Sequence, residues 1–208
     1  EYGYAKDFIS HVGPLLKTIK KNKIKVISNA GGVNLDACKQ ELSNKAKKEN
    51  VNLKIITVEG DDLSGIQKDL QKMSIKEIDS GKPLPENLLS INAYLGAPGI
   101  KRALDQGADI VITGRCVDSA LALGPLMYEF NWKENEYDLL ASGSLAGHII
   151  ECGAQSTGGN FTDWEIIDNF EDIGFPIVEV EENGEFIVTK PEGTGGIVNF
   201  GTISEQLL

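Results

Sequence analysis

The stretch DIVITGRCVDS (109–119) decides the fold. Residues 109–113 form an apolar, β-branched run that reads as a strand, Gly114-Arg115-Cys116-Val117-Asp118 reads as a loop, and a helix follows to about Phe130. The same order recurs upstream. Residues 24–28 (IKVIS) predict a strand, Asn29-Ala30-Gly31-Gly32 a turn, and Asn34 to Lys48 a helix with Cys38, Leu42 and Ala46 on its inner face. Residues 53–58 (LKIITV) predict the next strand, Glu59-Gly60-Asp61-Asp62 its loop, and 63–73 a helix with Leu63, Ile66, Leu70 and Met73 in register. Residues 88–92 (LLSIN) predict one more strand, followed by a loop at 94–97 and a helix over 98–106 closed by Gly107. A helix with a break at Gly13-Pro14 precedes the series. Four strand–helix units call for an α/β fold with a mostly parallel, doubly wound sheet and right-handed crossovers.

The pattern changes after Trp132. A helix is predicted over roughly 136–152, then the small polar run Ser156-Thr157-Gly158-Gly159-Asn160. Two alternating runs, 177–181 and 185–189, flank Asn183-Gly184 and predict a β-hairpin with a two-residue turn. The expected organisation is a parallel α/β core domain over 1–157 and a smaller hairpin and helix section over 158–208. The chain opens without Met and stops inside an amphipathic run, which reads as a piece of a longer protein.

Bulk properties exclude some partners. Lys+Arg 20 against Asp+Glu 31 gives a net charge of -11, which repels a phosphate backbone, so nucleic acid is not an expected partner. The basic runs at 17–25 and 45–48 fall at predicted helix ends, where the helix dipole favours Lys. No apolar stretch has the length of a membrane span. The cysteines Cys38, Cys116 and Cys152 are odd in number and widely spaced, which argues against a disulfide framework and for a cytoplasmic or other reducing compartment.

In a parallel sheet the loops that follow the strands share one edge, and ligands bind outside those carboxyl ends. Asn29, Gly31 and Gly32 would meet Glu59, Asp61 and Asp62, then Asn92, Tyr94 and Gly96, then Thr113, Arg115, Asp118 and Ser119. Asn29, Gly31, Gly32, Asn92, Arg115 and Ser119 are the substrate-binding candidates from these loops; each loop taken alone also reads as turn chemistry plus a helix cap. The planar fork of Arg115 suits a carboxylate or phosphate, with an ion pair to Asp118 as the competing reading. Asp62 and Asp118 are acid–base candidates, and either also suits a helix cap. Thr194 and Gly195, in Gly193-Thr194-Gly195-Gly196, form a second candidate anion cradle beside Lys190. His148, Glu151 and Cys152 stand at i, i+3 and i+4 on one helix face, which makes His148 a third acid–base candidate. With His11 the one other histidine and no CxxC pair, no zinc ligand set is completed and no metal ligand is assigned. The glycine loops lack both the G-x-G-x-x-G and the Walker pattern, so the residues name no cofactor.

The segments VISNAGGVNLDAC (26–38), VEGDDL (58–63), NAYLGAPGI (92–100), ADIVITGRCVDSALALGPLMYEF (108–130), GSLAGHIIECGAQSTGGNFTDW (143–164), IGFPIVEV (173–180) and TKPEGTGGIV (189–198) together resemble the acyclic terpene utilisation (AtuA-like) family. The resemblance runs through nearly the whole chain. It implies a role in the breakdown of citronellol- and geraniol-type compounds through branched acyl-CoA thioesters, alongside an acyl-CoA carboxylase. A lyase or hydratase step on a small anionic substrate, an acyl-CoA, is the enzymatic expectation. The alternative is a non-catalytic partner or scaffold of the carboxylase. A homo-oligomer is expected in either case.

Overall fold

The computed structural model describes residues 3–208 as two compact units, one reaching Val117 and the other running from Asp118 to Leu208. It is a mixed helix and strand fold with one parallel and one antiparallel sheet.

The first unit is built on β1 (Val26–Ser28), β2 (Ile55–Val58) and β3 (Ile110–Thr113), all parallel in the order β1-β3-β2. The register sets Val26 and Ile55 on either side of Ile110, and Thr57 opposite Ile112. Every residue of β3 is buried. Ile110 and Ile112 join a cluster with Leu16 and Ile19 of α2 (Leu16–Lys21) and with Cys38, Leu42 and Ala46 of α3 (Leu35–Lys48). Burial of the Cys38 thiol, with Glu41 nearby, pushes its pKa up to about 11, so it serves as a core residue and not as a thiolate. Val58, one strand over, meets Gly99 of α5 (Ala97–Asp105), where a Cβ would lie 2.7 Å from its methyl carbon.

Local chemistry explains where these elements start and stop. The break at Gly13-Pro14 is a 3-10 turn between α1 (Lys6–Val12) and α2. The Asn34 side chain caps α3 by accepting from the Ala37 amide at 3.2 Å. At the amino edge of the sheet, Asp109 Oδ2 accepts from the Lys54 amide at 2.8 Å and from Lys20 Nζ at 3.0 Å. Burial pushes the Asp109 pKa up, but these donors outweigh it and hold the carboxyl below its usual value.

Residues 88–92 are not a strand. Asn92 pairs antiparallel with Asp62 through a single bridge, and Leu63 N donates to Ile91 O at 2.9 Å, so this segment returns along its own loop instead of extending the parallel sheet. The expected four-strand series is therefore a three-stranded sheet. The helix expected over 63–73 is a 3-10 turn followed by the short α4 (Gln67–Lys72), and neither buries a residue. From Asp62 to Gly96 no residue is buried at all.

The second unit holds α6 (Ala120–Glu129), α7 (Tyr137–Glu151), the hairpin β4 (Ile177–Val180) and β5 (Phe186–Thr189), and α8 (Phe200–Leu207). Gly143 and Gly147 let α7 approach α6: a Cβ on Gly147 would lie 2.7 Å from Ser119 O. The hairpin turn is one residue wider than expected. Glu181 N donates to Glu185 O at 2.8 Å and encloses 182–184, because Gly184 takes positive φ while Asn183 does not, and a two-residue type I′ turn needs both. Trp132 Nε1 donates to Glu182 O at 3.0 Å, and Ser142 Oγ donates to Gly184 O, anchoring the turn.

Two outcomes follow from this packing. Gly31→Ala would place a Cβ 2.7 Å from Thr113 O and 2.8 Å from Leu35 Cγ, and urea unfolding should show a loss of roughly 1–3 kcal/mol, the usual cost of overpacking. Asp109 has a lowered pKa when folded, so it contributes stability above the ordinary Asp value of 3.8 and loses it as pH falls below that. The gap in melting temperature between the wild-type chain and Asp109→Asn should be widest near neutrality and shrink on acidification.

Candidate functional site

The carboxyl ends of β1, β2 and β3 lie at one edge of the first unit, and the loops that leave them are in contact. Gly31 sits over the end of β3, where Thr113 O and Ile112 leave no room for a side chain. Gly114 is similarly filled, since a Cβ there would lie 2.3 Å from Asp61 Oδ1. The residue that ties the loops together is Asp61, 3% exposed, whose Oδ2 accepts from the Arg115 amide at 2.9 Å and from Asn92 Nδ2 at 3.1 Å. A carboxylate with two fixed donors is a strong, directional anchor. Leu95 N donates to Arg115 O at 3.1 Å and Val117 N to Leu95 O at 2.9 Å, so the segment before α5 runs parallel to the one after β3.

On this frame Arg115 is exposed. Its guanidinium carbon stands 4.8 Å from the centre of the Tyr94 ring, and Nη2 donates to the Tyr94 hydroxyl. Both contacts restrict the long side chain and aim a planar cation outward from the end of the central strand. α5 begins beside this segment with no side-chain cap at Gly96 and Pro98 in its first turn. A cavity of about 460 Å3 opens alongside, lined by Thr57, Glu59, Leu95, Gly96, Arg102 and Gln106 among others. That volume suits a small ligand. Neither Asp61 nor Arg115 lines it.

Asn29, Gly31, Gly32, Asn92 and Arg115 thus all lie at the carboxyl edge of one sheet. Asn29 is exposed, and its carbonyl accepts from the Gly32 amide at 3.3 Å. Gly32 has φ +52, and the next amide, Val33 N, donates to Gly3 O at 2.8 Å, so part of this turn is engaged by the chain's own backbone. Asp62 is exposed. Its Oδ1 accepts from Ser64 N at 2.9 Å, and these bonds from Ser64 hold its carboxyl below the usual range. It is ionised at neutral pH and shapes the turn after the loop.

Asp118, Ser119, His148, Thr194 and Gly195 belong to the second unit. Asp118 is exposed and Ser119 half-buried, and their carbonyls accept from Leu121 N and Ala122 N at the start of α6. No side chain caps that helix. His148 Nδ1 lies 2.9 Å from Glu151 Oε1, while Cys152 Sγ stands 4.0 Å from the same oxygen. The carboxylate oxygen therefore engages the imidazole closely and the thiol at longer range. The Thr194–Gly195 loop is not open to an anion. The amides of Thr194, Gly195, Gly196 and Ile197 donate to the carbonyls of Pro191, Asp172, Asp168 and Thr157, and Lys190 Nζ donates to Thr194 O at 2.6 Å. A Cβ at Gly195 would fall 2.0 Å from Asn169 O, so glycine is needed here for backbone packing. Among the described residues no group of three or more His, Cys, Asp or Glu is placed to hold a metal ion. Among the same residues no helix is long and apolar enough to cross a membrane. Among the described residues no disulfide links the three cysteines, of which Cys38 and Cys116 are buried and Cys152 exposed.

Sequence reasoning placed Asp61 and Asp62 together at the edge and took Asp62 as the acid–base candidate, and it noted Tyr94 without seeing its pairing with Arg115. The signal available for Asp61 was Gly114, a residue without a side chain directly after the central strand, which leaves a space for a neighbouring carboxylate.

The first unit is an α/β domain of the class that gathers polar loops at the carboxyl edge of a parallel sheet. The chain belongs to the acyclic terpene utilisation family, whose model, described as acyclic terpene utilisation family protein AtuA, matches residues 1–208. No curated protein and no solved structure shows significant similarity to it.

Replacing Asp61 by Ala removes the acceptor of two part-buried donors, and urea unfolding should show a loss of roughly 1–3 kcal/mol. Asp61→Asn retains an accepting oxygen and should recover most of that loss.

Proposed function

We propose that the chain is part of an enzyme that acts on a branched, anionic acyl-CoA in acyclic terpenoid or branched-chain catabolism, by lyase- or hydratase-type acid–base chemistry. The observation that carries this reading is Arg115, an exposed guanidinium aligned over Tyr94 at the end of the central strand, with its own amide locked to buried Asp61. The first unit that carries it holds 18 Lys and Arg against 14 Asp and Glu, so its field does not repel an anion, and the fork geometry suits a carboxylate or phosphate. The uncapped start of α5 adds backbone donors beside it. Membership in a family named for acyclic terpene utilisation supports the substrate class. The strand order supports reading the sheet as doubly wound: β1 to β2 steps across β3 and β2 to β3 steps back, so right-handed connections put α3 and α5 on opposite faces. Asn29 and Asn92 are the neutral hydrogen-bonding groups of this edge. For proton transfer, His148 has the suitable chemistry, an imidazole oriented by Glu151. Asp118 is the second candidate, and Asp62, engaged by Ser64, is the weakest of the three.

Calorimetric titration with a branched, carboxylate-bearing acyl-CoA tests the reading. Wild-type chain should bind, Arg115→Ala should weaken binding by roughly tenfold to a hundredfold, as for loss of one charge-assisted hydrogen-bonded contact of about 1.5–3 kcal/mol, and Arg115→Lys should recover part of it. Equal affinity in wild type and Arg115→Ala removes Arg115 from the site. A chain that holds no acyl-CoA but captures an acyl-CoA carboxylase subunit is the non-catalytic partner instead.

A further inference from the structure

We infer that the outer edge of β2 and the flank of α5 form a groove that takes an extended segment of a partner protein as an added strand, with a carboxylate side chain of that segment on Arg102. The cavity of about 460 Å3 beside α5 is lined on one side by residues 56–59 and on the other by Gly99, Arg102, Ala103 and Gln106. Successive side chains of a strand point to opposite faces, so four consecutive residues share one wall only where the strand presents its edge. The α5 residues recur at helical spacing, so the facing wall is one side of that helix. The cavity is therefore a groove that runs along a strand.

The backbone of that edge is open. β2 pairs with β3 alone, at the end of the order β1-β3-β2. Ile110 N donates to Lys54 O at 3.2 Å, and in a parallel ladder this bond fixes the alternation. Lys54, Ile56 and Val58 turn their backbone groups toward β3, while Ile55 and Thr57 turn theirs away. Among the described residues the outward N–H and C=O of Thr57 meet no backbone partner. A donor and an acceptor set side by side on one strand residue are the complement of a second extended backbone. Edges that stay unpaired are commonly blunted by Lys or Pro, and Ile55-Ile56-Thr57-Val58 has neither.

Charge selects the segment. Arg102 is exposed on the α5 wall, and among the described residues it makes no ion pair; the adjacent Lys101 takes Asp105 at 2.8 Å. Glu59 stands at the carboxyl end of β2, where its Oε1 accepts from Thr57 Oγ1 at 3.1 Å. Gly99 sits against Val58, which sets the two walls level at that point. From there Arg102 is three helix residues one way and Glu59 one strand residue the other, so the charges lie roughly 8 Å apart along the groove. That is about two or three residues of extended chain. The fitting segment carries an acidic residue for Arg102 and, at that interval, an amine or hydroxyl for Glu59, with apolar side chains between them for Val58, Leu95 and Pro98. A second copy of β2 fits poorly, since Ile55–Val58 brings no carboxylate to Arg102. The inference does not rest on the proposed reaction.

Fluorescence anisotropy of the full chain with labelled acetyl-Val-Glu-Val-Lys-Val-amide and with its reverse, acetyl-Val-Lys-Val-Glu-Val-amide, tests it. The two orders cover parallel and antiparallel addition, and one of them should bind. Thr57→Pro removes the outward N–H, which the ladder to β3 does not use, and should weaken binding by roughly tenfold or more, whereas Thr57→Val keeps that N–H and should bind as wild type does. Arg102→Gln should weaken the Glu peptide by roughly tenfold and leave the affinity of the same peptide with Gln for Glu unchanged. This comparison on an exposed side chain decides the matter even where Thr57→Pro lowers the circular dichroism melt. Failure of both peptides to bind overturns the proposal, as does equal binding by a folded Thr57→Pro or an equal loss of both peptides in Arg102→Gln. Self-association of the wild type in sedimentation equilibrium that Thr57→Pro abolishes would make the occupant a second copy and overturn it as well.

Discussion

The pairing of β3 on both of its edges is the constraint from which the rest of the first unit follows. A central parallel strand has no exposed side, so its four residues must be apolar or internally bonded, and its neighbours must run in the same direction and end at the same edge. Once that edge exists, the loops that leave it compete for a small volume. Gly31 and Gly114 are the residues that make room, one for the end of β3 and the other for the Asp61 carboxylate. The carboxylate then converts proximity into fixed geometry, because its Oδ2 accepts from both Arg115 and Asn92, on segments far apart in sequence. Arg115 is held through its backbone amide on Asp61, and its guanidinium is then set over Tyr94 by contacts of its own side chain.

The second unit reaches order by a different route. Its helices α6 and α7 approach at glycines, and its hairpin is anchored at the turn by Trp132 and Ser142. The loop around Thr194 and Gly195 has the composition of an anion cradle but the hydrogen bonding of a structural crossing, where the amides of Gly195, Gly196 and Ile197 meet carbonyls from neighbouring segments. Glycine-rich composition signals that backbones come close. Whether the close partner is a ligand or another part of the chain depends on which acceptors the fold brings there.

Much of the fold was legible because it is written in local periodicity. The strand at 110–113, the helix from Leu35 to Lys48 with Cys38, Leu42 and Ala46 inward, the break at Gly13-Pro14 and the hairpin at 177–189 all follow from spacing and turn chemistry that act over a few residues. The segment 88–92 misled because an apolar run specifies burial without specifying a partner, and here the chain folded back on the Asp62 loop. The apolar spacing of 63–73 leaves Ile66 and Met73 exposed and Leu63 and Leu70 half-buried, since periodicity records that a face is apolar and not what it meets.

The sequence by itself determined the secondary elements of the sheet and core, the edge on which the polar loops collect, and membership in the acyclic terpene utilisation family, whose motifs span the chain. The tertiary structure alone decided which carboxylate of the Gly-Asp-Asp turn is buried, that Arg115 is paired with Tyr94, and that the Thr194 loop is closed to an anion. The division has a physical basis. Propensity and periodicity act between neighbours along the chain, whereas the fate of a polar group depends on donors and acceptors that become neighbours only when the chain has folded.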